Sequence, residues 1–186
     1  MPGPLDGFRV IDVTAMVSGP LATMMLGDQG ADVIKVEAPG TGDLVRGIGS
    51  APGGIAPIFA TTNRNKRSIV VNLKDPQGVS LVKRLVAGAD VFVQNFRPGR
   101  VERLGLGEAE LRRVRPDLIY VSISGFGEKG PYTHKRVYDP VVQALSGLAS
   151  IQADRSTGRP HMVRTIIPDK LTALTAAQAI TAALLS

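Results

Sequence analysis

Phe8-Arg-Val-Ile-Asp-Val13, Pro20-Leu-Ala-Thr-Met-Met-Leu-Gly-Asp-Gln29 and Asp32-Val-Ile-Lys-Val-Glu37 succeed one another near the start of the chain. The first and third are short apolar runs with the β-branched content of buried strands. The run between them carries helix formers, with Pro20 at its first turn and Gly30 as a stop. Together they predict a strand–helix–strand unit. The pattern recurs: Ser68-Ile-Val-Val-Asn-Leu73 reads as a strand, Pro76 to Ala87 as an amphipathic helix, and Asp90-Val-Phe-Val-Gln94 as a strand. Short helical pieces around Val101-Glu-Arg-Leu104 and Glu108 to Val114 lead to Leu118-Ile-Tyr-Val-Ser-Ile-Ser124, the strongest strand signal of all. Apolar strands alternating with helices indicate an α/β fold, a parallel sheet with helices on both faces.

Between the second and third strands, Pro39 to Thr62 is a Gly/Pro-rich stretch with little periodicity, read as a long loop; such loops are often functional. The last segment, Lys170 to Ser186, is helix-like, Ala/Leu-rich on most sides, and ends without a Gly, Asn or Pro stop. A helix that apolar expects a covering surface. The expectation is therefore one domain over residues 1–186, the amino-terminal part of a longer chain.

The 186 residues are 44% apolar, enough for one well-buried domain. Cysteine is absent and only His134 and His161 are present, which leaves no disulfide framework and little basis for a thiolate or histidine metal site. The amino-terminal residues lack the layout of a signal peptide, and no apolar run reaches membrane-spanning length, so a soluble cytoplasmic protein is expected. A net charge of +6 suits an acidic partner such as nucleic acid, anionic lipid or a phosphorylated cofactor. Aromatic residues are only 4%, which counts against single-strand nucleic-acid binding. Arg64-Asn-Lys-Arg67 and Arg112-Arg-Val-Arg115 are short basic clusters, and the second reads as a solvated face.

Pro168-Asp169 stands just ahead of the final helix. A carboxylate there is first of all a common helix cap. It can also be a nucleophile, since free N–H groups and the helix dipole favour its ionised form. Gly125-Phe-Gly-Glu-Lys-Gly130 matches the dinucleotide pattern and follows a strand, but Pro131-Tyr-Thr-His-Lys-Arg136 comes next where a helix should open. NAD binding is not expected, although a glycine loop at a strand's carboxyl end lets backbone approach a ligand. No serine-hydrolase elbow or phosphate-loop lysine pattern occurs, and His134 reads as a solvated loop residue.

Several stretches, in order and across the whole chain, resemble the class III CoA-transferases, the group that also holds the 2-methylacyl-CoA racemases. They are Leu5-Asp-Gly-Phe-Arg-Val-Ile-Asp12, Gly30 to Asp43, Asn65-Lys-Arg-Ser68 with Leu73-Lys74, Ala89 to Gly99, Leu104-Gly-Leu106, Ser122 to Tyr132, and Tyr138-Asp139 through Gly147. The resemblance implies a Rossmann-like CoA-binding domain, a second domain outside this chain, and two interlocked subunits. It implies Asp169 as the nucleophile, attacking an acyl-CoA thioester and passing through an aspartyl-CoA thioester that a second carboxylic acid opens. It also implies CoA contacts from Val17 and Ser18, from Val71, Asn72, Leu73 and Lys74, from Asn95, Phe96, Arg97 and Arg103, and from Arg136, Val137, Tyr138 and Asp139. CoA then serves as substrate, with no tightly bound cofactor and no metal; the partners are an acyl-CoA, a carboxylic acid and a second subunit, not nucleic acid or membrane. Lys and Arg suit the phosphates of CoA. Two positions depart from the family pattern. Ala38 stands where studied members have Arg, and Val17 where formyl-CoA transferase has a glutamine, so formate and oxalate are not implied as the acids.

Two other readings remain at this stage. A racemase of the same family needs a pair of acid–base groups, and its histidine is replaced here by Tyr138. A non-catalytic module binding CoA or another acidic ligand is the third.

Overall fold

The computed structural model describes residues 2–186, so of the expected domain only Met1 lies outside it. Five strands form one parallel sheet: β1 (Arg9–Asp12), β2 (Asp32–Glu37), β3 (Lys66–Val70), β4 (Val91–Gln94) and β5 (Ile119–Ser122). Their order is β3-β2-β1-β4-β5, with every neighbouring pair parallel. The chain moves outward in one direction from β1 and then, from β4, in the other. The crevice where that order reverses, at the carboxyl ends of β1 and β4, is where open α/β sheets place ligands.

The helices are α1 (Ser18–Asp28), α2 (Pro57–Asn63), α3 (Pro76–Ala87), α4 (Arg100–Arg103), α5 (Glu108–Val114), α6 (Asp139–Leu145), α7 (Leu148–Ile151) and α8 (Ile167–Leu184). Alternate strand residues send their side chains to opposite faces. Ile11, Ile34 and Phe92 pack with Val82 and Val86 of α3, Val101 of α4 and Leu111 of α5. Val10, Val33, Val91 and Val93 pack on the other face with Leu26 of α1 and Ala177 and Ile180 of α8. The expected α/β architecture, Rossmann-like with helices on both faces, is what the chain adopts.

Three local expectations are corrected. The third strand begins at Lys66 and ends at Val70 rather than running 68–73, because Lys66 pairs opposite Val33 and turns its side chain inward. The stretch from Pro39 to Thr62 is not all loop: two short 3-10 turns, Leu44–Gly47 and Pro52–Gly54, lead into α2, whose Pro57 sits at the first turn. The final helix begins at Ile167, ahead of Asp169, with Ile166 as its cap.

In Arg64-Asn-Lys-Arg67, the two arginines and Asn65 are exposed and only Lys66 turns inward. Arg64 pairs with Asp28, and Arg67 with Asp32. The Lys66 ammonium is sealed from water and donates to Asp12 Oδ2 at 2.9 Å, the Pro20 carbonyl at 2.8 Å and Asn63 Oδ1 at 2.9 Å. Asp12, fully buried, also accepts from the Thr14 hydroxyl and Thr23 hydroxyl. Burial alone would raise its pKa, but the charges of Lys66 and Lys35 and these hydrogen bonds bring it down to about 2.

Asp12 therefore favours folding only when ionised, a contribution complete above its ordinary 3.8 and lost as pH falls toward 2. Lys66→Met strands that charge without its cation and is expected to cost about 3–5 kcal/mol at neutral pH. Urea titration should show the gap from the parent narrowing in acid, where Asp12 of the variant takes up a proton. An equal gap at all pH values would contradict the ion-pair account.

Candidate active site

The carboxyl ends of β1, β2 and β3 and the start of α4 enclose a cleft of about 180 Å³. Its walls are Val13, Thr14 and Ala15, then Glu37, Ala38 and Pro39, then Val71 to Lys74, and finally Phe96, Arg100 and Leu104. Of the residues expected to contact CoA, the cleft thus gathers Val71, Asn72, Leu73, Lys74 and Phe96. Gly78 in the first turn of α3 lets the strand end lie close, since a Cβ there would meet the Asn72 carbonyl oxygen at 2.2 Å. Arg97 and Arg103 are exposed and do not line the cleft. Arg100 does, with its guanidinium carbon 5.5 Å from the centre of the Phe96 ring. Sequence reading passed over Arg100. The signal available was its spacing from Phe96, which brings it back over the ring at the first residue of α4.

Asn95 makes its hydrogen bonds within the chain. Its Oδ1 accepts from the Ala15 N–H at 2.9 Å and its Nδ2 donates to the Ala15 carbonyl at 2.7 Å, clasping the β1–α1 connection by both backbone groups. From the other side Lys35 Nζ donates to the Thr14 carbonyl at 2.9 Å and sits 2.9 Å from Asp43 Oδ2, and Asp43 Oδ1 accepts from the Met16 N–H. Met16, a non-glycine residue at φ 69°, is held there by these ties. Beside them Arg46 forks onto Glu37 with two contacts of 2.7 Å and lies over the Phe59 ring at 3.7 Å. Glu37 feels burial pushing its pKa up, yet Arg46, Ser68 and the Asp43 N–H hold it at about 2. Lys35, Lys66 and Arg46 are each engaged by a carboxylate of the chain.

The clasped connection runs from the cleft to a second group of side chains. Val17 caps α1 and Ser18 opens it. Asp169, in the first turn of α8, is half-buried, and its backbone N–H donates to Asp139 Oδ2 at 3.2 Å. Asp139, first residue of α6, is buried at 5% exposure and accepts from Gln143 Nε2 at 2.6 Å. The Asp169 carboxyl is held above its ordinary value by burial and then by the charge of Asp139, with Ser18 pulling the other way. The expected ionising influence of the helix start is therefore opposed by its surroundings. Tyr138 is exposed at 62% and Arg136 is exposed. Val137 is half-buried against Gly125, where a Cβ would lie 1.7 Å from Val137 Cγ1, so the first glycine of the 125–130 loop serves packing. Among the described residues no group of three or more His, Cys, Asp or Glu is placed to hold a metal ion, and none of the helices is long and apolar enough to cross a membrane.

The profile of CoA-transferase family III matches residues 5–186. The chain belongs to that family. It is 45% identical over 183 residues to succinyl-CoA:glutarate CoA-transferase of Mus musculus, covering 98% of this chain and 42% of that one. It is 44% identical over 189 residues to succinate–glutarate CoA-transferase of Agrobacterium fabrum, covering 98% and 47%. Among solved structures, a CAIB/BAIF family protein from Brucella suis superposes with a TM-score of 0.94 at 37% identity, over 100% of this chain and 50% of that one. The chain spans about half the length of these family III relatives.

A carboxyl whose folded-state pKa lies above its unfolded one stabilises the fold when protonated, and that stabilisation is lost as pH rises through the folded value. Carbon-13 NMR should find Asp169 titrating above 3.8, and Asp139→Asn should lower its midpoint. Asp169→Asn should accordingly raise the melting temperature at neutral pH. An Asp169 midpoint at or below 3.8, or a less stable Asn variant, would contradict this electrostatic picture.

Proposed function

We propose that the chain is the CoA-binding, nucleophile-bearing part of an acyl-CoA:carboxylate CoA-transferase, with Asp169 as the nucleophile. The observation that carries this is the placement of Asp169. It lies in the first turn of a long helix, half-buried beside Ser18, at the end of a clasped connection whose other end walls a mostly apolar cleft that holds Lys74 and Arg100. Membership of a family whose relatives are named CoA-transferases supports it.

The cleft has the chemistry for CoA: Lys74 and Arg100 for phosphates, and Phe96 and Leu73 for an apolar body. With the thioester carbonyl brought toward Asp169, a carboxylate oxygen attacks and the thiolate leaves, giving an acyl-aspartyl anhydride. The thiolate then attacks the aspartyl carbonyl, releasing the first carboxylic acid and leaving an aspartyl-CoA thioester. A second carboxylate attacks that thioester, again expels the thiolate, and the thiolate takes the new acyl group. Acids and thioesters balance at every step, and no oxidant or added base is consumed. Covalent relay of this kind splits one hard exchange between two carboxylates into easier ones. The surroundings that raise the pKa of Asp169 also make its carboxylate the more basic nucleophile.

The same reading takes CoA as a substrate rather than a bound cofactor, and places an interlocked homodimer in the cytoplasm. Leu171, Leu174 and Leu185 of the last helical segment, all more than half exposed, are consistent with a further covering surface. Racemisation is not favoured, because Tyr138 stands where the racemases have the histidine of their acid–base pair.

Asp169→Asn in the full-length protein is expected to lower CoA transfer at least a thousandfold, with CoA affinity kept. Borohydride or hydroxylamine trapping followed by mass spectrometry should label Asp169 after incubation with an acyl-CoA. A label on another carboxylate, or an Asn variant with normal turnover, would overturn the assignment.

A further inference from the structure

The first turn of α8 has two N–H groups, those of Ile167 and Asp169, that need partners from outside the regular helix ladder, because Pro168 supplies none. The Ile167 N–H goes to the Thr165 carbonyl at 3.1 Å, and the ladder begins with the Lys170 N–H on the Ile166 carbonyl at 3.1 Å. Ile166 has no side chain able to cap, and the remaining Asp169 N–H is taken by Asp139, reaching across from α6. Asp139 thus does from another helix what a Ser or Asp cap does locally.

What aims Asp139 is Gln143, one turn along α6 and only 2% exposed. Its Oε1 accepts from the Val163 N–H at 2.8 Å, which fixes which end of the amide is which. Its Nε2 must then face the other way, where it donates to Asp139 Oδ1 at 2.6 Å and to the Thr165 carbonyl at 3.3 Å. One buried amide therefore grips both the segment that enters α8 and the carboxylate that caps it. Only a carboxylate suits position 139, since an Asn there would oppose a donor to either Gln143 Nε2 or the Asp169 N–H.

We propose that Gln143 is a positioning residue for Asp169, locking the entry segment 163–165 and Asp139 so that the first turn of α8 holds the nucleophile in one attitude. The activity this implies rests on the function proposed above, but the lock itself does not. Gln143 is absent from the walls of the cleft, so its loss should spare binding and strike the chemical step.

The test uses the full-length protein, with hydrogen exchange read by mass spectrometry alongside steady-state kinetics. In the parent, the Asp169 amide should exchange at least a hundredfold more slowly than an unpartnered first-turn amide. In Gln143→Leu, peptides spanning 163–170 should exchange at least tenfold faster while those covering β1, β2 and β4 stay unchanged. Turnover should fall at least tenfold with KM for the acyl-CoA within twofold of the parent. Gln143→Glu keeps the Val163 partner but loses both donations, and the same two changes are expected of it. A freely exchanging Asp169 amide in the parent overturns the lock even if every variant of Gln143 is too unstable to assay, and so does a folded variant with unchanged exchange over 163–170. Turnover falling only through a raised KM overturns the positioning role. Full activity in a parallel Asp169→Asn variant sinks the proposed function instead, and leaves the exchange result to judge the lock alone.

Discussion

Two lysine ammonium groups lie sealed from water beneath the carboxyl edge of the sheet, and the candidate site depends on them. Lys66 meets Asp12, and Lys35 meets Asp43. An isolated buried charge is prohibitive, so each pair must be completed by further hydrogen bonds. The completing partners are what give the site its shape. Lys66 takes the Pro20 carbonyl near the start of α1, and Lys35 takes the Thr14 carbonyl in the connection that precedes it. Asp43 brings in the Met16 N–H. Satisfying the ions and folding the β1–α1 connection are one event.

The sheet was legible because its signal is redundant. The inner strands β1, β2 and β4 carry apolar residues buried on both faces, and each crossover carries its own stop and start residues. The five strands and the helices between them, α2 excepted, could be read from Phe8 to Ser124 without knowledge of pairing. The readings that went astray have separate causes. Lys66 looks polar in a sequence yet is a strand residue, because its cation is neutralised by an aspartate 54 positions away. Pro57–Asn63 looks like loop because it is short and flanked by Gly and Pro.

The site was legible in part for the same reason. Val71 to Lys74 and Phe96 follow strand ends, so a reader who knows where ligands sit in parallel sheets can find them. Arg97 and Arg103 look equivalent to Arg100 in sequence, and only the path of the short helix distinguishes them. Asn95 and Asp139 read as ligand contacts, and within the chain their hydrogen bonds go to Ala15, and to Gln143 and Asp169. Such long-range partners carry no local pattern.

The two-handed clasp of Asn95 on Ala15 also bears on how such a site can change over generations. It lies between the cleft and the carboxylate corner, and it holds the backbone rather than any side chain. Under the proposed function, replacing Val17 or Ser18 would alter the surroundings of Asp169 without shifting the walls formed by Thr14 and Ala15. Replacing Lys74 or Arg100 would alter the charge of the cleft without disturbing Asp169. On that reading, preference for one acid over another and affinity for the carrier would drift separately, each by single substitutions, on a scaffold that need not be rebuilt.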